Sequence, residues 1–321
     1  MPLRIFLLLV RFMRSISIVH RTVWKIRKAY NGVKRRLWVG RPVVEADDYL
    51  KNAIINKTPY AAGKMGSIEA SSLSVFLRRE KARAKNRKPP AYNPYLFLSL
   101  HINAGVFPQT SEVYDKFCVA YREAVKQCDM LVAWDVAGEA EILSGYCPNA
   151  TLVSFRSFEP FFSPSPWTAA LKGKRVLVVS PFVDSIRKQY AQHETLWDNP
   201  ELLPSFDLLT LRAPLSAGLT APQDADWFAA LERMKQEMDV VDYDVALIGA
   251  GAFSLPLAVH AKSRGKIGVH LGGNLQMLFG VAGKRWKRDA SYKDFIKPNW
   301  IKPSGDEKPQ ASDRIEDGCY W

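Results

Sequence analysis

The stretch DVALIGAGAFSLPLAVHAKSRGKIGVHLGGNLQMLFGVAGKRW, residues 244–286, constrains the fold more than any other, because it reads as a complete βαβ unit with a glycine turn after each strand. Residues 245–248 are a short apolar run of the kind that a parallel strand buried on both faces requires, and Gly249-Ala250-Gly251 follows at once. A helix is predicted from near Ser254, with Pro256 in the first turn, where a missing N–H costs nothing, and with Gly265 as its stop. Residues 267–271 read as the second strand, Gly272-Gly273-Asn274 as the second turn, and residues 275–279 as a further helix start. Turns of this kind sit at the carboxyl edge of a parallel sheet, where open α/β folds bind ligands.

The same alternation runs back through the chain. Helices are expected at 47–56, from Ser67 onward, at 111–127, after a strand-end loop at 181–185 through Gln192, and around Trp227, Leu231, Met234 and Met238; strands are expected at 60–66, where the strand runs into a turn, and at 96–100, 130–134, 173–180 and 208–211. The fold class is therefore α/β, with Rossmann-like parallel sheets flanked by helices. Residues 158–167, rich in proline and aromatics, read as a stiff linker or lid between an N-terminal α/β half at 42–165 and a C-terminal Rossmann-like half at 166–290. A polar and aromatic tail, 291–321, ends in Gly318-Cys319-Tyr320-Trp321, which is expected to dock on the body.

Charge separates one further region. The net charge is +13, from 45 Lys/Arg against 32 Asp/Glu, but residues 1–41 hold 11 Lys/Arg and no acid, leaving 34 against 32 for the other 280 residues. A nearly neutral body with no base-reading module argues against nucleic acid as a partner. On a helix, Phe12, Ile16, Val19, Val23, Ile26 and Tyr30 form one stripe, while Arg11, Arg14, Arg21, Lys25 and Lys28 lie to the other side. That pattern fits an in-plane anchor on an anionic membrane surface, or a helix whose stripe packs on the body or a partner. The apolar run at 5–10 is too short to span a bilayer. The expected location is cytoplasmic, peripheral on the inner face of the cytoplasmic membrane. Cys118, Cys128, Cys147 and Cys319 show no metal-ligand spacing. The basic run at 78–88 reads as a solvated face, with phosphate attraction as the lesser option.

Candidate chemistry lies at the strand ends. Gly249, Gly251 and Ser254 resemble half of a dinucleotide fingerprint, whose glycines let the backbone approach a diphosphate. Ser254 stands where the third glycine belongs, and the next strand ends at His270 with no acid to hold a ribose, so NAD is not expected. His270, Gly272, Gly273 and Gln276 would line an opposite wall. Lys64, Gly66 and Ser67, Asn103 and Gly105, and Asp184 are further substrate-binding candidates from strand-end loops; Lys284 and Arg285 are phosphate partners in reserve. Glu69 is the first choice for a catalytic carboxylate, with Asp135 and Glu139 behind it, although an acid in a first helical turn is favoured by the helix dipole alone.

GKMGSIEA at 63–70, VSPFVDSI at 179–186, residues 247–286 and the terminal GCYW resemble bacterial polysaccharide-biosynthesis proteins with a GT-D-type glycosyltransferase fold. The likeness covers most of 60–321 and omits the basic segment. It implies transfer of a sugar from a nucleotide-diphosphate donor to a lipid-linked or growing surface-polysaccharide acceptor. In that family the first turn carries an Asp-x-Glu motif for metal and sugar nucleotide; here Glu69 keeps the second carboxylate and Ser67 replaces the first. Two readings stay open: Glu69 helps hold Mg²⁺ or Mn²⁺ through water and the diphosphate, or it serves as a base or sugar ligand with no metal. Two other classes also stay open, a non-catalytic subunit of a glycan-synthesis complex and a Rossmann-like nucleotide-binding or methyl-transfer enzyme.

Overall fold

A computed structural model describes residues 17–216, 223–309, 312–314 and 318–321. Eight strands, β1 (Val43–Val44), β2 (Tyr60–Gly63), β3 (Met130–Ala133), β4 (Thr151–Ser154), β5 (Arg175–Ser180), β6 (Asp207–Arg212), β7 (Val245–Ile248) and β8 (Ile267–His270), form one sheet in the order β1-β4-β3-β2-β8-β7-β5-β6. Every pairing is parallel. The sheet crosses from the first half of the chain to the second without a break, through Ala61 opposite Gly268 on β2 and β8.

The strands read as unbroken apolar runs because both faces are covered. Val176 and Val178 on β5, with Val245 and Leu247 on β7, face one core; Leu177, Val179, Ala246 and Ile248 alternate into the other. Helices α1 (Ser17–Val39), α2 (Asp47–Ile55), α3 (Ser67–Ala84), α4 (Pro94–Ile102), α5 (Ser111–Lys126), α6 (Glu139–Tyr146), α7 (Phe155–Phe158), α8 (Val183–Tyr190), α9 (Trp227–Asp239), α10 (Ser254–Ser263), α11 (Asn274–Leu278) and α12 (Lys284–Arg288) supply the layers. The stripe Trp227, Leu231, Met234 and Met238 on α9 is buried, and Trp227 stacks on Phe253 at 5.1 Å.

Two segments differ from expectation. Residues 96–100, expected as a strand, lie within α4: Asn93 accepts the N–H groups of Tyr95 and Leu96 through its side chain, and Pro94 occupies the first turn. A run this uniformly apolar carries no period, so the start signal decides it. Residues 158–167, expected as a linker or lid, are packed instead, with Phe158, Phe161 and Trp167 buried in the second core and the Trp167 indole donating to the Phe158 carbonyl at 3.0 Å.

The basic helix α1 is docked by an unexpected face. Gly32 is buried against Asp135, Asn31 donates to the Asp135 carbonyl at 3.0 Å, and Arg35 pairs with its carboxylate at 2.8 Å. Val23, Ile26, Tyr30, Val33 and Leu37 are exposed, so the apolar stripe does not pack on the body. Phe12 and Ile16 lie outside the described residues, as does the side chain of Val19. No described helix is long and apolar enough to cross a membrane. The terminal Trp321 docks as expected, its indole donating to the Glu307 carbonyl at 3.0 Å.

Candidate functional site

The loops at the carboxyl ends of β2 through β8 surround a cleft of about 580 Å³. Its floor is made by the two glycine turns. An added Cβ on Gly249 would stand 2.6 Å from the Gly272 carbonyl oxygen, so only glycine lets the β7 and β8 turns meet. Gly251 has φ +56° and presses on Ala104, whose carbonyl accepts the Ala252 N–H at 3.1 Å; this brings Asn103 and Gly105 to the cleft wall.

The turn is closed on itself. Gly249 N–H donates to Val179 at 2.9 Å, and Ala250 N–H donates to the buried Ser254 hydroxyl at 2.8 Å. Gly272 N–H donates to Ile248 at 3.2 Å. These donors are spent on the fold, and Ser254 is a brace behind the cleft rather than part of its lining.

Four cations line the cleft, Lys28, Lys64, Arg156 and Arg285, against two carboxylates, Glu69 and Asp289. Glu69 is the third residue of α3, and its carboxylate folds over Gly66, where any Cβ would stand 2.1 Å from Oε2. Ser67 begins that helix beside it, with Gly66 as the N-cap. Lys64 is buried at the end of β2 and faces Glu159 at 3.4 Å. Burial pushes Lys64 down, Glu159 draws it back up, and Arg285 nearby pushes it down again. Burial likewise raises Glu159, which Lys64 and the Tyr292 hydroxyl, donating at 2.7 Å, partly offset. Asn274 also donates to Glu159, and its side-chain oxygen accepts the Trp286 indole N–H at 3.2 Å. Lys64 and Arg285 against Glu159 leave this wall with one net positive charge, which favours an anion.

His270 and Gln276 complete the wall. Burial, with Lys64 beside it, lowers His270 to about 3, so the ring is neutral near pH 7. His270 Nδ1 and Gln276 Oε1 are buried polar atoms with no hydrogen bond. Gln276 donates to the Tyr320 carbonyl at 3.2 Å and Arg285 to the Tyr320 hydroxyl at 3.0 Å, which folds the chain end over the cleft. Aromatic rings supply the rest. Lys64 lies 4.7 Å from the Phe155 ring centroid and 5.5 Å from Trp134, and Arg156 lies over Phe162 at 4.5 Å.

The structure thus brings together Glu69, Lys64, Gly66, Ser67, Asn103, Gly105, Gly249, Gly251, His270, Gly272, Gly273 and Gln276. It does not bring in Asp135, Glu139, Asp184 or Lys284. Asp135 is the latch for α1, in a left-handed conformation at φ +59°. Glu139 is buried, accepts the N–H groups of Trp134 and Asp135, and is raised to about 7 by that burial. Asp184 pairs with Arg212 on the surface. Sequence reasoning missed Glu159, Asn274, Tyr292, Tyr320, the aromatic walls, and Trp24 and Lys28 of α1. The signal for Glu159 was a single acid inside the aromatic run FEPFF, where a charge survives only if paired.

A divalent cation would meet one protein carboxylate at the α3 N-terminus, and among the described residues no three His, Cys, Asp or Glu side chains group to hold one. Such an ion would be shared with a bound diphosphate, since Mg²⁺ commonly uses one or two carboxylates plus phosphate oxygens. A scan against protein-family models and searches of curated proteins and of solved structures found no match to this chain.

Proposed function

We propose that this protein is a glycosyltransferase of GT-D type, moving a sugar from a nucleotide-diphosphate donor to a glycan or lipid-linked acceptor at the inner face of the cytoplasmic membrane. One observation carries the reading: Glu69, the two glycine turns and the pair Lys64 and Arg285, far apart in sequence, share one cleft at the carboxyl edge of the sheet. The cations neutralise the diphosphate, and the aromatic walls offer faces for base and sugar. The acceptor hydroxyl attacks the anomeric carbon as the bond to the diphosphate oxygen breaks; the bond pair leaves with the nucleoside diphosphate, and the hydroxyl proton passes to the Glu69 carboxylate. A metal, if bound, would add charge neutralisation at the diphosphate.

The position of Glu69 over Gly66 equally suits a helix-capping role, which favours a non-catalytic, nucleotide-binding subunit as the second reading. Melting-temperature shifts with UDP-, GDP- and CMP-sugars, with and without Mn²⁺, test binding, and Glu69→Gln tests catalysis. The transferase reading expects a stabilising sugar nucleotide, together with turnover reduced by about 10²-fold or more in Glu69→Gln while donor binding persists. Donor binding with unchanged glycan production in Glu69→Gln would favour the subunit. No shift from any sugar nucleotide would remove both.

A further inference from the structure

The docking of α1 fixes which way its faces point. Gly32 is buried and Lys28, Asn31, Arg35 and Val39 are half-buried, all on the side turned to the body. At 3.6 residues per turn, Val23, Ile26, Tyr30, Val33 and Leu37 lie directly opposite, and all five are exposed. Cations flank that row on both sides: Arg27 and Lys34 on one, Lys25 and Arg36 on the other. Lys34 lies over the rings of Tyr30 and Trp38, at 4.6 and 5.1 Å. An apolar row bordered by cations and interfacial aromatics, with no acid in the helix, complements an anionic lipid surface. The same helix walls the cleft, through Trp24 and Lys28.

We infer that the acceptor is a sugar carried on an anionic, membrane-resident lipid phosphate, its hydroxyl admitted to the cleft past Trp24 and Lys28 while the outer row of α1 lies in the membrane surface. This rests on the transferase reading and names its acceptor class. The distance from membrane plane to cleft mouth is then one helix diameter, roughly 10 Å, within reach of a sugar on a lipid phosphate. Lys28, with its ammonium 5.1 Å from the Trp24 ring centroid, meets the phosphate at the mouth, leaving Lys64 and Arg285 to the donor.

The full chain is tested by flotation with vesicles of phosphatidylcholine alone, with phosphatidylglycerol, or with a polyprenyl phosphate at equal surface charge. Wild type should float with both anionic vesicles and bind polyprenyl phosphate the more tightly. Lys28→Ala should keep most phosphatidylglycerol binding and lose about fivefold against polyprenyl phosphate, the size of one lysine contact. The pair Ile26→Glu and Val33→Glu should lose both vesicles yet keep the melting-temperature shift with sugar nucleotide, which shows that the body is folded. Flotation of that pair like wild type overturns the inference, as does equal affinity of wild type for the two anionic vesicles. Loss of a dimer in that pair with vesicle binding unchanged would assign the row to a second copy and also overturn it. Absence of any sugar-nucleotide shift in wild type would instead remove the transferase reading while leaving the vesicle result to stand alone.

Discussion

At the scale of single residues, the cleft depends on charges kept where water is scarce. Lys64 and Glu159 are each buried and each stabilises the other against burial. Removing one partner strands the other, so Lys64→Met should cost about 3–5 kcal/mol in urea unfolding. Adding Glu159→Gln should recover much of that, because Gln can still accept from Tyr292; equal instability of single and double variants would contradict the pairing. His270 sets a pH dependence. Its folded value, about 3, lies below the ordinary 6.5, so between these the unfolded chain takes up a proton that the folded chain refuses. Stability from this group is complete above pH 6.5 and falls as the pH drops, by up to about 1.4 kcal/mol per pH unit. His270→Leu should flatten the curve relative to wild type over that window, and parallel curves would refute the assignment. Glu69 and His270 were legible from sequence because each sits beside a glycine turn. Asp135 and Glu139 were misplaced because a strand-end carboxylate looks the same whether it faces a ligand or ties down a helix.

At the scale of elements, the β7-α10-β8 unit was legible almost to the residue, since glycine, proline and continuous apolar runs all mark the same boundaries. α4 was not, because its apolar run has no period and only Asn93-Pro94 betrays a helix. The use of the glycine turns was half legible. Their place at one site was, but their direct packing and the commitment of the Gly249, Ala250 and Gly272 N–H groups to the fold depend on contacts with β5, Ser254 and β7 that no local pattern reveals. Gly249→Val should therefore drive the two turns apart, lowering stability by about 1–3 kcal/mol and abolishing sugar-nucleotide binding. Unchanged binding with lost stability would show that the turns shape the core and not the site.

At the scale of the molecule, one parallel sheet gathers the ends of seven strands around one cleft, walled on one side by the basic helix and closed on another by Tyr320 and Trp321. The α/β class and the neutral body were readable from the sequence, because alternation and charge are local sums. The packing of residues 158–167 was not, because it rests on contacts with distant residues such as Asp47, whose carboxylate accepts the Trp167 N–H at 2.7 Å; for α1 an outward stripe was one of two open readings, and the part that stayed hidden was the hold of Asp135 on the opposite face through Asn31, Gly32 and Arg35. Under the proposed function a diphosphate would lie between the Lys64 and Arg285 side and the Gly272–Gly273 turn, with Glu69 facing the transferred sugar. A crystal structure with a bound sugar nucleotide tests this most directly. The diphosphate is expected in contact with Lys64 and Arg285 and the sugar beside Glu69; a nucleotide bound outside this cleft, or within it with Glu69 turned away from the sugar, would refute the proposed function.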